Sequence, residues 1–381
     1  MARTDTLGNF LTDVAGAIRT KAGTSDPIQA SAFDTAIANI PSGGNGWQRP
    51  SDWWDTETIL ANAENKTDNN GDTVYPAYIL LLADWDKTTT FSARATNASL
   101  YGDGYLTSDG AWYGTTDATH TWDETKDKPC SEGYKTRYVI VYVKNRSTAL
   151  YLTLGIFDCL EIITGNATLS SLPQFGSNSS SGANNLKIKN IVISSDTIIN
   201  NTIIANVSFS NCIALKKITI NSSNPTTINS NAIMSTYNLE TVDIPNITTL
   251  NSSCFYKCYG LNKLILNKLT SFQSAFMSDC YCIDTIELPS TITTIPSVSG
   301  STATFSKYIK YIKLPDNFNI SGMNLTNDTN ITHSCIVDMI SKLKDVSEES
   351  GTYTLTLGAT NLAKISADEL AIGTNKGWTI N

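Results

Sequence analysis

The side chains best suited to catalysis lie in one glycine-rich segment, YGDGYLTSDGAWYG, at residues 101–114. Asp103 and Asp109 could serve as the two carboxylates that glycoside hydrolysis requires beside the scissile bond. Aspartate followed by glycine is also a favoured pair in β-turns, where glycine readily takes a positive φ. We interpret both aspartates as turn residues, and glycan cleavage stays open as an alternative.

The same segment brings together four aromatic side chains, Tyr101, Tyr105, Trp112 and Tyr113. An exposed ring stacks on the apolar face of a pyranose, while nearby Asp and Asn side chains bind its hydroxyl groups. These rings therefore predict a glycan-binding site, with Trp112 as its most exposed member. The alternative is that several of them form the core of a small β domain that is short of leucine and isoleucine.

Other catalytic or metal chemistry has little support in the sequence. His120 and His333 are the only two histidines, neither lies in a nucleophile motif, and there is no glycine-rich phosphate loop. The cysteine spacings between residues 254 and 282 resemble metal-ligand spacings only loosely, because no second matching set follows. We expect no enzymatic activity, no cofactor and no metal.

Composition excludes two further classes of function. The chain has 381 residues and a formal net charge of −8, and an acidic run extends from residue 52 to 127, so a nucleic-acid partner is not expected. No stretch approaches the roughly 20 apolar residues that span a bilayer, and no apolar signal segment follows the first methionine. We expect synthesis in the cytoplasm and no membrane insertion.

The strongest signal is a six-residue pattern that recurs five times, with apolar residues at its first, fourth and sixth positions. Successive copies start 24, 22, 22 and 26 residues apart. A period of this length fits one short strand plus a return loop, and such coils bury their apolar side only by stacking. A weaker sixth copy, IKNIVI, starts at residue 188. The clear copies are LKKITI from residue 215, LETVDI from 239, LNKLIL from 261, IDTIEL from 283 and IKYIKL from 309.

Two further columns of residues recur at nearly the same positions before the six-residue copies. Small residues lie three positions before each copy, where the loop turns back under the strand, and larger apolar residues lie further upstream and predict a stacked spine. Because several cysteines occupy the first column, we expect buried, reduced thiols. The small residues are Cys212, Thr236, Cys258, Cys280 and Ser306. The spine residues are Phe209, Ile233, Phe255 and Phe276.

Strand alternation places the third and fifth positions of each copy on the side away from the core. These positions carry charges of both signs, which predicts either a recognition face or an ordinary solvated surface, and the sequence does not separate the two. They are Lys217, Thr219, Thr241, Asp243, Lys263, Ile265, Thr285, Glu287, Tyr311 and Lys313.

The combined pattern F-x(2-3)-C-x-x-L-x-x-I-x-L/I, often followed by proline, resembles the BspA-like leucine-rich repeats over residues 186–316. The resemblance implies a solenoid that binds through its surface. We expect a mainly β protein with four parts: a helical attachment segment (1–41), an aromatic-rich, sandwich-like β domain (47–154), the solenoid (155–320, with an irregular lead-in over 155–187) and an α/β C-terminal cap (321–381). The cap is predicted as helix 333–343, strand 352–357, helix 366–372 and strand 377–380.

The N-terminal string LTDVAGAIRTKAGTSDPIQASAFDTAIANI resembles a leader of virion and tail-associated proteins of phages that infect gut Firmicutes. The segment GWQRPSDWW at residues 46–54 resembles the start of a β module of such proteins. The resemblance implies a structural virion protein of the tail or baseplate that recognises the host surface. It would contact other virion proteins through residues 1–41, bind a bacterial surface glycan or protein, and form a homo-oligomer. The alternatives are a bacterial BspA-like surface adhesin and a glycan-cleaving tail enzyme.

Overall fold

The fold is described here from a computed structural model. It describes residues 47–67, 71–84, 93–95, 98–101, 128–131, 133, 135–143, 152–154, 159–166, 168–169, 172, 188–297 and 302–381. The predicted helical attachment segment lies outside these residues.

The described residues form short strands and a few helices. The helices are α1 (Thr56–Ala61), α2 (His333–Lys342), α3 (Gly358–Leu362) and α4 (Ala367–Thr374). The strands before the clear repeats are β1 (Lys66–Thr67), β2 (Thr73–Asp84), β3 (Ala93–Ala95), β4 (Ala98–Tyr101), β5 (Lys128–Pro129), β6 (Lys135–Val143), β7 (Leu152–Leu154), β8 (Cys159–Thr164), β9 (Thr168–Leu169), β10 (Asn190–Ile193), β11 (Ile198–Ile199) and β12 (Ile203–Ile204). Those that follow are β13 (Lys217–Ile220), β14 (Thr227–Ile228), β15 (Thr241–Asp243), β16 (Thr249–Leu250), β17 (Lys263–Ile265), β18 (Ser271–Phe272), β19 (Thr285–Glu287), β20 (Tyr311–Lys313), β21 (Met323–Asn324), β22 (Tyr353–Thr356) and β23 (Trp378–Ile380).

The repeats form coils that stack through two parallel sheets. Strands β8, β10, β13, β15 and β17 pair side by side, and the second sheet contains β12, β14, β16 and β18. The first and sixth apolar positions of all five predicted copies are buried, and the fourth is buried except in the third copy, where Leu264 is half-buried. The predicted register is therefore confirmed, and the apolar positions of each coil face the interior between the two sheets.

The predicted spine is also confirmed. Phe209, Ile233, Phe255 and Phe276 are fully buried, and Phe305 continues the column into the last coil. Three side chains of the small-residue column connect neighbouring coils, because they donate hydrogen bonds to backbone carbonyls of the preceding coil. The donor-to-acceptor distances are 2.8 Å from Thr236 Oγ1 to Phe209 O, 3.1 Å from Cys258 Sγ to Ile233 O, and 3.2 Å from Cys280 Sγ to Phe255 O.

All eight cysteines are free thiols, and six of them are buried. Burial raises the pKa of Cys212 to about 12 and raises the pKa of Cys258 further, since a thiolate loses its hydration inside the coil. These thiols therefore act as small core residues with a weak donor.

The first coil strand differs from the sequence prediction. We expected an irregular lead-in over residues 155–187, but Cys159–Thr164 forms the fully buried strand β8. Strand β8 pairs in parallel with β10 and antiparallel with β2, so the coil sheet continues through β2, β6 and β4. Among the described residues, the aromatic-rich part extends this sheet, with the pair β3 and β7 apart from it, and no separate sandwich is seen. The boundary predicted near residue 154 therefore crosses one continuous sheet.

The C-terminal part covers the last coil, as a solenoid end requires. The predicted helices and strands are present within two residues of their expected bounds, and α3 is an additional helix that the sequence did not indicate. Helix α2 begins where Thr332 Oγ1 accepts a hydrogen bond from Cys335 N at 3.2 Å, and Thr332 N donates to Lys310 O of the last coil at 3.0 Å. Strands β21, β22 and β23 form a parallel sheet beside it.

A buried carboxylate joins the last coil to this cap. Asp328 is fully buried and accepts hydrogen bonds from Thr304 N at 2.9 Å and Phe305 N at 3.0 Å. Burial raises the pKa of Asp328 to about 6, although the two backbone donors oppose that change. The carboxylate therefore satisfies backbone amides that would otherwise be buried without a partner.

The coil register makes a stability prediction. Leu261 and Ile286 are 0% and 3% exposed, whereas Glu287 in the same strand as Ile286 is exposed. Leu261→Ala and Ile286→Ala should each lower the free energy of unfolding by about 2 to 5 kcal/mol, because each leaves a cavity between coils. Glu287→Ala should change it by less than about 0.5 kcal/mol. Denaturant unfolding curves measure all three, and equal, small changes would contradict the register.

Candidate recognition surface

The outward positions of the coil strands form two parallel rows across the sheet. The first row holds Glu161, Asn190, Lys217, Thr241 and Lys263. The second holds Ile163, Val192, Thr219, Asp243 and Ile265. The face predicted from the sequence therefore extends over two earlier coils, β8 and β10.

The N-terminal end of this face is covered by residues 49–61, with an ion pair between half-buried Arg49 and buried Glu161 at the centre. Arg49 Nε donates to Glu161 Oε1 at 2.6 Å, and an Arg49 Nη donates to Glu161 Oε2 at 2.8 Å. Thr56 Oγ1 and Asn190 Nδ2 donate to the same carboxylate at 2.5 and 2.7 Å. Glu161 is fully buried, so its charge is compensated by one bidentate cation and two neutral donors.

The motif RPSDWW at residues 49–54 holds this arrangement in place. The Trp53 ring packs against Leu81, Ala83 and Leu160, and the Arg49 guanidinium lies 5.4 Å from its centroid. Trp54 Nε1 donates to Thr136 O at 3.0 Å, which attaches the segment to β6. The motif is thus a clamp between the N-terminal segment and the first coils.

Helix α1 continues the cover after the clamp. Asp55 caps it by accepting a hydrogen bond from Thr58 N at 3.3 Å, and its hydrogen bonds to Thr58 lower the pKa of that carboxyl group. Leu60 of this helix packs with Ile163 and Ile79 in a small apolar cluster on the outward side of the sheet. Outward positions of the first two coils are therefore a second core, and they are unavailable to a large partner.

Two residues of the predicted face are buried, which corrects the sequence prediction. Thr219 and Thr241 are only 8% and 6% exposed. Each is a short side chain between two paired strands, so neighbouring side chains on both sides cover it. Lys217, Asp243, Ile265 and Thr285 are half-buried, and Lys263, Glu287, Tyr311 and Lys313 are exposed. The accessible part of the face thus lies towards the C-terminal coils.

A break divides this accessible part. Strands β17 and β19 occupy corresponding positions of consecutive coils but do not pair, and β19 pairs with β20 instead. A cleft of about 190 Å³ at this break is lined by Leu264, Ile265 and Glu287. The two coils stay joined through the spine, where Phe255 N donates to Phe276 O at 2.8 Å. The outward face therefore has two sections, β13 to β17 and β19 to β20.

A larger cleft of about 480 Å³ lies beside α1. Its described lining includes the carboxylates of Glu57 and Asp196 and the amides of Asn166 and Asn221. Oxygen-rich linings of this kind bind hydroxyl groups well, so the cleft has room and chemistry for a small polar molecule. No sequence motif predicts this cleft, because its walls come from segments that are far apart in the chain.

A row of stacked tyrosines, which was not predicted from the repeat pattern, lies at the turn before the coil strands. The ring centroids of Tyr237 and Tyr259 are 5.0 Å apart, those of Tyr259 and Tyr281 are 4.8 Å apart, and the planes within each pair are nearly parallel. Tyr308 meets Tyr281 edge-on at 4.6 Å. We call these four residues the tyrosine ladder. A signal was present, since tyrosine recurs two positions before three consecutive copies.

The predicted glycan site is placed only in part. Tyr101 is the last residue of β4, while Tyr105, Trp112 and Tyr113 lie outside the described residues, as do Asp103 and Asp109. The glycan site therefore stays a prediction.

Of the two histidines, His333 lies on the surface of the cap. Its Nε2 is 2.8 Å from Glu369 Oε1, and the pair joins α2 to α4.

Two general features bear on the site. In the described part of the chain, no three His, Cys, Asp or Glu side chains are grouped so that they could hold a metal ion. No helix there combines the length and the apolar character needed to cross a lipid bilayer.

Comparison with known proteins gives one match. The model of the BspA type leucine-rich repeat region matches residues 178–299, with 6 copies. This confirms the repeat type predicted from the sequence, although the match ends before the copy at residue 309, which the structure shows as β20. A repeat region of this type suggests a role in surface adhesion or recognition. No curated protein matches the chain, and no solved structure matches it either.

The clamp makes a stability prediction. Arg49→Ala leaves the Glu161 carboxylate buried without its cation, so it should lower the free energy of unfolding by about 3 to 5 kcal/mol. Lys310→Ala is the matched control, because Lys310 Nζ lies 3.9 Å from Asp284 Oδ2 at the surface, and it should cost less than about 1 kcal/mol. Denaturant unfolding measures both. Equal losses would show that the Arg49–Glu161 pair is not a clamp.

Proposed function

We propose that the chain is a non-enzymatic structural protein of a phage virion, located at the tail or baseplate, that binds the bacterial surface through its solenoid. The observation that carries the recognition role is the exposed outward section formed by β19 and β20 within a BspA-type repeat region. There Glu287, Tyr311 and Lys313 place an acid, an aromatic ring and an ammonium group on one short surface.

The chemistry of this section favours a partner with both polar and apolar groups. Tyrosine supplies a rigid contact area with a polar tip, and residues of this kind dominate the energy of many interfaces. Glu287 of β19 and Lys313 of β20 lie opposite each other in the strand register, so opposite charges lie side by side. A bacterial surface glycan or protein is the proposed partner, and nucleic acid is not.

The surroundings of the two buried carboxylates support a non-enzymatic role. Glu161 is bound by Arg49, and Asp328 is bound by backbone amides. A general acid or base must be able to exchange its proton with a substrate. Each of these groups instead joins two parts of the fold.

The assignment to a virion is supported by the leader resemblance of residues 1–41 and by the RPSDWW motif. In this proposal residues 1–41 contact other virion proteins, and several copies of the chain assemble on the particle exterior. The runner-up is a bacterial BspA-like surface adhesin, which the repeat match favours equally. Detection of the chain in purified particles supports the first function, and detection in cell envelopes of uninfected bacteria supports the second.

The attachment role of residues 1–41 can be measured directly. The sequence spacing places Leu7, Leu11, Val14 and Ile18 on one apolar face of a predicted helix. About 40 residues are too few to bury such a face alone, so we expect the segment to dock on another virion protein. A chain that lacks residues 1–41 should melt at an unchanged temperature yet be missing from purified particles by mass spectrometry. Normal incorporation of this shortened chain would contradict the attachment role.

The recognition role predicts a local effect on binding. Tyr311→Ala and Lys313→Ala should each weaken binding of the full chain to host cells by about 1 to 3 kcal/mol, the range expected for interface anchors. Lys268→Ala is the matched control, because Lys268 is also exposed but lies on the turn after β17, where its Nζ is 2.7 Å from Asn246 Oδ1. Titration with labelled protein measures the affinities. If the two face variants bind as tightly as the control, recognition does not occur at β20.

A further inference from the structure

The tyrosine ladder is a partly exposed aromatic strip that neither the coil core nor the proposed recognition face uses. Tyr237 and Tyr281 are 39% and 48% exposed, and Ile213 extends the strip by one coil with 39% exposure. They are among the most exposed large apolar side chains of the described residues. A contiguous apolar strip with polar edges is typical of a protein contact.

The stacking decides what the ladder can contact. Tyr259 lies between Tyr237 and Tyr281, so both faces of its ring are already occupied. Sugars stack on free ring faces, whereas this strip presents ring edges and hydroxyl groups to solvent. The ladder is therefore better matched to another protein surface than to a glycan.

Two opposite charges lie next to the centre of the ladder. Lys257 and Asp279 occupy the same position of consecutive coils, two residues before Tyr259 and Tyr281 respectively. Their φ values are 59° and 60°, so the two side chains leave the backbone with the same local geometry. A hydrogen bond to Tyr256, and then the nearby Tyr259, raise the pKa of Lys257. Loss of hydration, and then the charge of Asp279, raise the pKa of Tyr281. Both charges thus border the ladder.

This arrangement of charge is self-complementary. A two-fold axis between the coils of Tyr259 and Tyr281 would bring Lys257 of one copy opposite Asp279 of the other, and it would do so twice. The same axis brings Tyr259 opposite Tyr281 and Tyr237 opposite Tyr308. The overlap of the two ladders is greatest at this register, because the axis passes through the middle of the four rings.

We infer that the tyrosine ladder is the interface of a symmetric dimer of this chain, with two Lys257–Asp279 ion pairs across the two-fold axis. The ladder lies at the turn before the strands, so the interface leaves the outward side of β19 and β20 open. The inference does not depend on what the solenoid recognises, and it holds for a virion protein and for an adhesin.

Charge reversal of the full chain tests the inference. Sedimentation equilibrium should give twice the monomer mass of 41.3 kDa at high protein concentration. Lys257→Asp and Asp279→Lys should each raise the dimer dissociation constant by about tenfold or more, because each places like charges opposite one another. The double variant should restore the dissociation constant to within about threefold, since the pairs form again with exchanged partners. Thermal melts identify any variant that fails to fold.

Two further variants make the outcome decisive. Tyr281→Ala should weaken the dimer, whereas Lys313→Asp on the outward side of β20 should leave it unchanged. The inference is overturned if the chain is monomeric at every concentration, or if single and double reversals weaken self-association equally. It is also overturned if the chain stays monomeric while the ladder variants lose binding to host cells, because the ladder would then be a ligand site.

Discussion

Coil stacking is the constraint on which the rest of this structure depends. One coil of about two dozen residues cannot enclose its own apolar side chains, so each coil is completed by the next. The fully buried column of Phe209, Ile233, Phe255 and Phe276 is the direct result. Thr236, Cys258 and Cys280 lie beneath it and donate to carbonyls of the preceding coil, so that polar groups are satisfied along the same axis.

A stack of coils has two ends, and this chain closes them in different ways. At the C-terminal end, an α/β cap covers the last coil, with Asp328 joining the two. At the N-terminal end, the coil sheet continues into antiparallel strands, and the RPSDWW clamp covers the outward side through Arg49 and Glu161. The closure occupies outward positions of the first two coils, and this places the accessible surface in the later coils.

The same repetition gives the solenoid two separate outer surfaces. The outward strand positions end in the exposed charges and tyrosine of β19 and β20, beyond a break where β17 and β19 do not pair. The turn before the strands carries the tyrosine ladder, in which near-parallel rings follow the coil spacing. Because each surface repeats with the coil, a partner at one need not exclude a partner at the other. The proposed recognition and the inferred self-association are therefore compatible on one solenoid.

The sequence alone determined the features that repeat. The period and phase of the apolar positions predicted the buried register, the spine and the column of small residues, and helix and strand patterns predicted most of the cap. Tertiary structure decided which repeating positions reach solvent. Thr241 has the same phase as exposed Lys263, and Thr219 has the same phase as exposed Lys313, yet neighbours on paired strands cover both threonines. Glu161 is buried because Arg49, which lies 112 residues earlier, binds it. Periodicity fixes the direction in which a side chain leaves its strand, but burial depends on what packs there, and distant parts of the chain supply that.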